Sequence, residues 1–253
     1  MKKRLFIMII IIALACVGCE SSEDSYKQME IAVEPTFLFS YKFDTEYKQS
    51  GIILTNYAGM KNSVKIPDTI DGLPIVGIEA TCFPVGQVTE VYFPDTVKYF
   101  KWGKRKSIDA KNLKTIIIPN GVTEIAPDTF MNFKSLTNII IPETVNIIGE
   151  RAFVWCQALT NITIPNSVTT INYGTFAHCI SLTSVTLPES ITVIDYGAFT
   201  HCASLISITI PDSVKKIGRD IFSDCGSLID ITYKGIIYSY DNDLPTEFYN
   251  AVK

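Results

Sequence analysis

The stretch LTNITIPNSVTTINYGTFAHCIS, residues 159–181, is one of five consecutive copies of a 23-residue unit. The copy that follows, LTSVTLPESITVIDYGAFTHCAS at 182–204, keeps the same apolar, proline, aromatic and cysteine positions. The other three copies occupy residues 113–135, 136–158 and 205–227. A fixed period of this length predicts a solenoid, in which stacked units bury one continuous core that no single unit could close alone.

Apolar residues at positions 4 and 6 of the unit, numbered from its leading leucine, alternate with polar residues. This alternation predicts a short strand with one buried face, and the proline at position 7 ends the strand because it has no N–H to donate. Two further apolar positions, 10 and 13, precede a phenylalanine at position 18. Glycine and small residues just before that phenylalanine indicate a tight turn or one short helical turn. Stacked units should align their strands as a parallel sheet with a spacing of about 4.8 Å.

The pattern LxxIxIPxSVxxIGxxAFxxC resembles the bacterial leucine-rich repeats of the BspA/Treponema type, over residues 63–233. The resemblance implies an α/β fold, a right-handed leucine-rich repeat solenoid with a parallel β-sheet on its concave face. Short strands and helical turns would then lie on the convex side. It also implies a surface protein that binds other macromolecules and is not an enzyme, with no catalytic residues, metal or cofactor.

The regions outside the regular copies divide the chain into five expected segments. They are a lipoprotein signal peptide at 1–19, a flexible polar tether at 20–35, an N-terminal cap at 36–60, the solenoid at 61–232 and a C-terminal cap at 233–253. Caps are expected because the terminal units of a solenoid need a different outer face. Within the first cap, two β-prone runs flank Gln49-Ser50-Gly51 and predict a hairpin.

The N-terminus has the features of an export signal. Lys2, Lys3 and Arg4 precede an apolar run at 5–14 and small residues before a cysteine. Cys19 is the predicted lipid acceptor, because a polar run starts directly after it, and Cys16 is the alternative. Such a lipid would anchor the protein to a membrane without spanning it. The expected location is the cell envelope, on the outer surface or in the periplasm, and an uncleaved N-terminal membrane anchor is the competing interpretation.

Two units near the N-terminus depart from the pattern. The unit at 64–83 carries an insertion, Asp71-Gly72-Leu73-Pro74, which predicts a turn. The unit at 88–112 is two residues too long and lacks the phenylalanine of position 18. Its extra segment places Trp102 among basic residues, namely Lys101, Lys104, Arg105 and Lys106. This segment is either a solvated bulge or a basic-aromatic contact patch on a loop.

Two columns of potentially reactive residues repeat every 23 residues. Position 21 holds Cys156, Cys179, Cys202 and Cys225, and an earlier copy has Phe133 there. A position that accepts both cysteine and phenylalanine is apolar, so we expect buried, reduced thiols; the spacing does not suit zinc. His178 and His201 stack at position 20, where a metal site would need more ligands than the column supplies.

The outward strand positions suggest where a partner would bind. Position 5 holds Tyr92, Ile117 and Ile140 and then only threonines, at 163, 186, 209 and 232. Exposed apolar side chains without a packing role often mark binding sites, whereas threonines suit a strand by propensity alone. We therefore expect a protein or glycan partner on the concave face, around these three residues and Trp102. The alternatives are that the N-terminal cap covers the strip, that the protein has a structural envelope role without a ligand, or that it is an unrecognised hydrolase. The net charge of −4 does not indicate a positively charged surface for binding nucleic acid.

Overall fold

The computed structural model describes residues 39–44, 51–59, 62–79, 82–83, 88–101, 112–241, 248 and 252. Over this part of the chain the fold is a parallel β-solenoid, and its short strands fall into two ladders on different sides of each unit. The predicted signal peptide and tether lie outside the described residues, and so does Trp102.

The first ladder contains the strands predicted from positions 3–6 of the unit. These strands are β3 (Ser63–Lys65), β6 (Glu90–Tyr92), β8 (Thr115–Ile117), β10 (Asn138–Ile140), β12 (Asn161–Thr163), β14 (Ser184–Thr186), β16 (Ser207–Ile210) and β18 (Asp230–Tyr233). The paired strands run parallel, in three groups: β3, β6, β8 and β10; β12 and β14; and β16 and β18. From β8 onwards paired residues are 23 apart, as in Thr115 with Asn138 and Asn161 with Ser184. The register of the sheet is therefore the register of the sequence repeat.

The second ladder is built from two-residue strands at positions 12 and 13. They are β9 (Glu124–Ile125), β11 (Ile147–Ile148), β13 (Thr170–Ile171), β15 (Val193–Ile194) and β17 (Lys216–Ile217). The isoleucines at position 13 are fully buried in four of the five, as the apolar spacing predicts. Towards the N-terminus this side of the solenoid continues through β7 (Tyr99–Lys101) and β5 (Leu73–Glu79), which pair in parallel.

Antiparallel strands lie at both ends of the described solenoid. At the N-terminal end β1 (Phe39–Phe43) pairs with β2 (Ile52–Tyr57), which in turn runs parallel to β5. At the C-terminal end β19 (Ile236–Ser239) pairs antiparallel with β18. A short antiparallel pair also forms within the first unit, between β4 (Thr69–Ile70) and the start of β5.

The predicted turn in the first unit is shorter than expected. Only Asp71 and Gly72 form it, with φ angles of 53° and 76°, whereas Leu73 and Pro74 already belong to β5. Two successive residues with positive φ are the requirement of a two-residue hairpin whose twist matches that of its strands. Ile70 pairs directly with Leu73 across this turn.

The helical turns expected on the convex side are not present, since the described chain has almost no helix. Positions 16 and 20 are left-handed in every regular unit, for example Arg151 with φ 52° and Trp155 with φ 64°. Left-handed residues interrupt an α-helix, so the segment between them forms turns. Alternate N–H groups of this segment donate to the neighbouring unit, as from Phe153 to the Thr175 carbonyl at 2.9 Å, and those between them bond within the unit, as from Ala152 to the Gly149 carbonyl at 3.3 Å. The segment therefore adds a third line of bonds between units.

The phenylalanines of position 18 form a continuous stack through the core. Ring centroids from Phe130 to Phe222 are 5.4–5.8 Å apart, and the interplanar angles are 2–20°. The irregular unit, which lacks this phenylalanine, continues the stack with another side chain. Phe100, from strand β7, lies 5.8 Å from Phe130 with a tilt of 59°, and Phe93 lies 5.0 Å from Phe100.

Hydroxyl groups of position 9 link neighbouring units beside this core. Thr144, Ser190 and Ser213 donate to the position-10 carbonyl of the preceding unit at 2.6–3.0 Å, and Ser167 makes the same bond. After the last regular unit the phenol of Tyr233 donates to the Val214 carbonyl at 3.0 Å. A residue of the final strand thus completes a bond series that belongs to the repeat.

The cysteines of position 21 are buried and free. Cys156, Cys179, Cys202 and Cys225 are at most 2% exposed, and Phe133 occupies the same column at 2%. Each Sγ lies 3.1–3.2 Å from the carbonyl of the phenylalanine 26 residues earlier, to which it donates. Burial raises the pKa of all four thiols, that of Cys225 to about 12.

Among the described residues no helix is long and apolar enough to cross a membrane.

Removing one ring of the phenylalanine stack should destabilise the whole solenoid. Phe176→Ala should lower the free energy of unfolding by about 3–5 kcal/mol, because a central unit cannot collapse onto the void without moving both neighbours. Thr163→Ala, on the exposed face of the same unit, should lower it by less than about 1 kcal/mol. Urea unfolding of both variants measures the difference, and equal losses would mean that the Phe176 ring does not stabilise the core.

The thiols of position 21 should react slowly in the native protein. Burial and a raised pKa leave little thiolate, which is the reactive form. Alkylation at pH 8 followed by peptide mapping should therefore leave these four cysteines unmodified until denaturant is added. In denaturant without reductant all four should be labelled. Finding fewer labelled thiols would indicate disulfides between units.

Candidate binding surface

The exposed face of the first ladder is formed by positions 3 and 5, because positions 4 and 6 turn their side chains into the core. Ile116 and Ile162, both at position 4, are 0% and 3% exposed. We call the opposite side, with positions 3 and 5, the strand face. Its position-5 column contains Lys65, Tyr92, Ile117, Ile140, Thr163, Thr186, Thr209 and Thr232.

An apolar strip occupies the N-terminal half of the strand face. Tyr92, Ile117 and Ile140 are 45%, 37% and 50% exposed. Tyr92 pairs with Ile117 and Ile117 with Ile140 in the parallel ladder, so the three side chains lie side by side over about 10 Å. Among the described residues no segment covers them, and this includes the described part of the expected N-terminal cap, residues 39–44 and 51–59. The strip is exposed to solvent.

The polarity of the strand face changes sharply after Ile140. Thr163 pairs with Thr186 and Thr209 with Thr232, and the neighbouring position-3 residues are Asn, Ser or Asp. At the other end of the strip lies Lys65, which is exposed and pairs with Tyr92. The strip is thus bordered by a cation on one side and by hydroxyl groups on the other.

The basic-aromatic segment of the irregular unit starts on the side of the second ladder. Lys101 is the last residue of β7 and pairs with Glu79 of β5. Trp102, Lys104, Arg105 and Lys106 lie outside the described residues, so their contact patch stays a prediction. A recess of about 690 Å³ adjoins this point, between β7 and β9, with Lys98 and Glu124 among its lining residues.

A second aromatic cluster was not anticipated from the sequence. The rings of Tyr173 and Tyr196 stack at 5.7 Å and 20°, and they are 39% and 47% exposed. The Arg151 guanidinium lies 5.8 Å from the Tyr173 ring and binds both carboxylate oxygens of Asp128, at 2.8 and 3.0 Å. That hydrogen bonding raises the pKa of Arg151. The available signal was the Tyr-Gly pair repeated at 173–174 and 196–197.

The stacked histidines form part of a longer surface column. Trp155 and His178 stack at 3.8 Å and 4°, His178 lies 4.3 Å from His201, and His201 Nδ1 lies 3.0 Å from an Asp224 oxygen. Partial burial and the neighbouring His201 lower the pKa of His178. The described residues include no group of three or more His, Cys, Asp or Glu side chains that could hold a metal ion.

Comparisons with known proteins agree with this geometry. The BspA type leucine rich repeat region matches in six copies, over residues 60–132, 76–173 and 104–229. A leucine rich repeat protein of T. pallidum is 31% identical, with 76% of this chain and 88% of that chain covered and a TM-score of 0.66. No curated protein matches the chain.

Two further solved structures are similar over most of this chain. A leucine rich cell surface protein of Faecalibacterium prausnitzii is 30% identical, with 81% of this chain and 57% of that chain covered and a TM-score of 0.64. A leucine-rich repeat protein of Bacteroides ovatus is 31% identical, with 76% and 51% covered and a TM-score of 0.65. This chain therefore spans about half the length of these two larger proteins. The family match and the T. pallidum structure together show that the chain belongs to the BspA-type leucine-rich repeat family.

Proposed function

We propose that this protein is an exported, lipid-anchored surface protein that binds a protein or glycan partner through its strand face. The observation that carries the proposal is the apolar strip of Tyr92, Ile117 and Ile140, which is exposed although nothing in the fold requires it. Solenoids present extended surfaces of this kind, and leucine-rich repeat proteins are in general binding scaffolds without enzymatic activity.

The neighbourhood of the strip favours a partner with both apolar and polar groups. Tyr92 offers an aromatic ring with a hydroxyl group at its tip, a combination that is enriched at interfaces. Lys65 and Glu90 provide charges at the border, and Asn138 provides an amide beside Ile140. An apolar centre with a polar rim is the common arrangement of protein interfaces, and it favours a protein partner over a glycan.

The proposed location rests on the N-terminal sequence and on one relative. The F. prausnitzii structure is described as that of a cell surface protein. Cys19, with Cys16 as the alternative, is the proposed lipid acceptor, and both lie outside the described residues. A lipid at that point would tether the solenoid to the envelope through the polar residues 20–35.

Replacing the two isoleucines of the apolar strip by glutamate should abolish binding of the partner without unfolding the protein. Ile117→Glu with Ile140→Glu puts two carboxylates side by side on the exposed face, where their repulsion costs up to about 1 kcal/mol. No core contact is lost, so the protein should still fold. Capture of surface-exposed proteins from intact cells, after mild cross-linking to the purified chain, should be lost.

The matched control uses the polar half of the same column. Thr163→Glu with Thr186→Glu introduces an identical pair of carboxylates on paired neighbours of the strand face. Capture should survive in this control. Equal loss in both double variants would point to a charge effect on the whole face, and unchanged capture in both would place the partner elsewhere.

Lipidation is tested separately from binding. Cells grown with an alkyne-bearing fatty acid should label the wild-type protein and the Cys16→Ser variant but not the Cys19→Ser variant. Label lost only in Cys16→Ser would make Cys16 the acceptor. A wild-type protein without label would contradict the anchoring proposal, whatever the binding experiment shows.

A further inference from the structure

The C-terminal edge of the first ladder ends in a hairpin with an open outer side. Strand β19 follows β18 after a two-residue turn, Lys234-Gly235, in which both φ angles are positive at 50° and 73°. Tyr233 pairs with Ile236 and Ile231 with Tyr238. β19 is the last strand of its sheet, and its far side pairs with no strand of the described chain.

The hydrogen-bond direction of the ladder identifies which groups of β19 point outwards. Residues of position 6 donate towards the following unit, as from Ile118 N to the Ile140 carbonyl at 3.0 Å. Tyr233 holds position 6 in β18 and therefore faces β19. Because neighbouring residues of a strand point their backbone groups in opposite directions, Ile237 and Ser239 point theirs away from β18. Among the described residues nothing donates to or accepts from those outward groups.

The two end strands differ in the features that block edge pairing. β1, at the N-terminal end, has a register irregularity between Ser40 and Tyr41 and carries Lys42. Bulges and lysines are common means of protecting an edge strand. β19 reads Ile-Ile-Tyr-Ser, with a regular register, no charge and no proline. β19 therefore lacks the features that protect β1 from pairing with another strand.

Two exposed isoleucines lie on the open edge strand itself. Ile236 and Ile237 are 55% and 67% exposed. A strand added to β19 would therefore cover apolar side chains as well as satisfy backbone groups.

We propose that β19 binds β19 of a second copy of this chain, antiparallel, with Tyr238 opposite Tyr238 at a twofold axis. In this register Ile237 of one copy faces Ser239 of the other, and both present outward N–H and carbonyl groups. The twofold axis gives two Ile237–Ser239 pairs, which together form four backbone hydrogen bonds. The segment is complementary to itself, as a twofold interface requires, and this favours a second copy over an unrelated peptide. The ladders of the two solenoids join into one sheet through their C-terminal ends.

Removing one outward donor should weaken the dimer. Ser239→Pro deletes an N–H that makes no bond to β18, whereas Ser239→Thr keeps it. Sedimentation of the purified full chain, in density-matched detergent, should show a concentration-dependent dimer for the wild type and for Ser239→Thr. The dimer dissociation constant of Ser239→Pro should rise at least about tenfold. A wild type that stays monomeric up to about 0.1 mM would overturn the proposal, and so would a dimer that Ser239→Pro leaves unchanged.

Cross-linking tests the register and does not depend on the proline variant folding. Chains with Ile237→Cys and chains with Ser239→Cys are purified separately, mixed and oxidised. Directly opposed residues of a bonded pair lie about 5.5 Å apart between Cα atoms, within disulfide range. The mixture should give a linked dimer whose joined peptides contain positions 237 and 239, and each variant alone should give much less. No excess in the mixture would reject this register and with it the proposal.

Discussion

The rest of the structure depends on one constraint. Each unit must adopt the same conformation as its neighbour and lie beside it at the strand spacing of a parallel sheet. The phenylalanine stack shows how closely this holds, with centroid distances between 5.4 and 5.8 Å from Phe130 to Phe222. Three lines of hydrogen bonds, in the two ladders and in the left-handed turns, enforce the same offset. Each unit alone has too little apolar surface, so stability comes from the contacts between units.

This constraint also organises the surface, because every exposed position becomes a column of neighbouring side chains. The threonines of position 5, the tyrosines at 173 and 196 and the histidines at 178 and 201 are columns of this kind, and their stacking follows from the repeat. Stacking alone is therefore weak evidence of function. The more informative features are the departures from a column, such as the change from Ile140 to Thr163 on the strand face.

The irregular features concentrate in the N-terminal half and at the two ends. The unit at 88–112 keeps its first strand and its core although its position-18 phenylalanine is missing, because Phe100 reaches the stack from β7. At the C-terminal end, the series of position-9 hydroxyl bonds is completed by the phenol of Tyr233, which takes the place of a position-9 serine.

The sequence by itself determined the register of the repeat and its core and surface columns. The strands of the first ladder, their buried and exposed faces, the position of Ile117 and Ile140 on the surface and the shared column of Phe133 and Cys156 all follow from the 23-residue spacing. They are predictable because units with the same residue pattern and the same neighbours pack in the same way. Only the tertiary structure decided what depends on neighbours that are distant or unlike. Left-handed turns stand in place of the expected helices, and their N–H groups alternate between bonds within the unit and bonds to the next unit. Arg151 contacts the Tyr173 ring and Phe100 joins the phenylalanine stack, and neither contact is encoded in the local pattern of a unit. The same holds for the outer edge of β19, with which no described strand pairs.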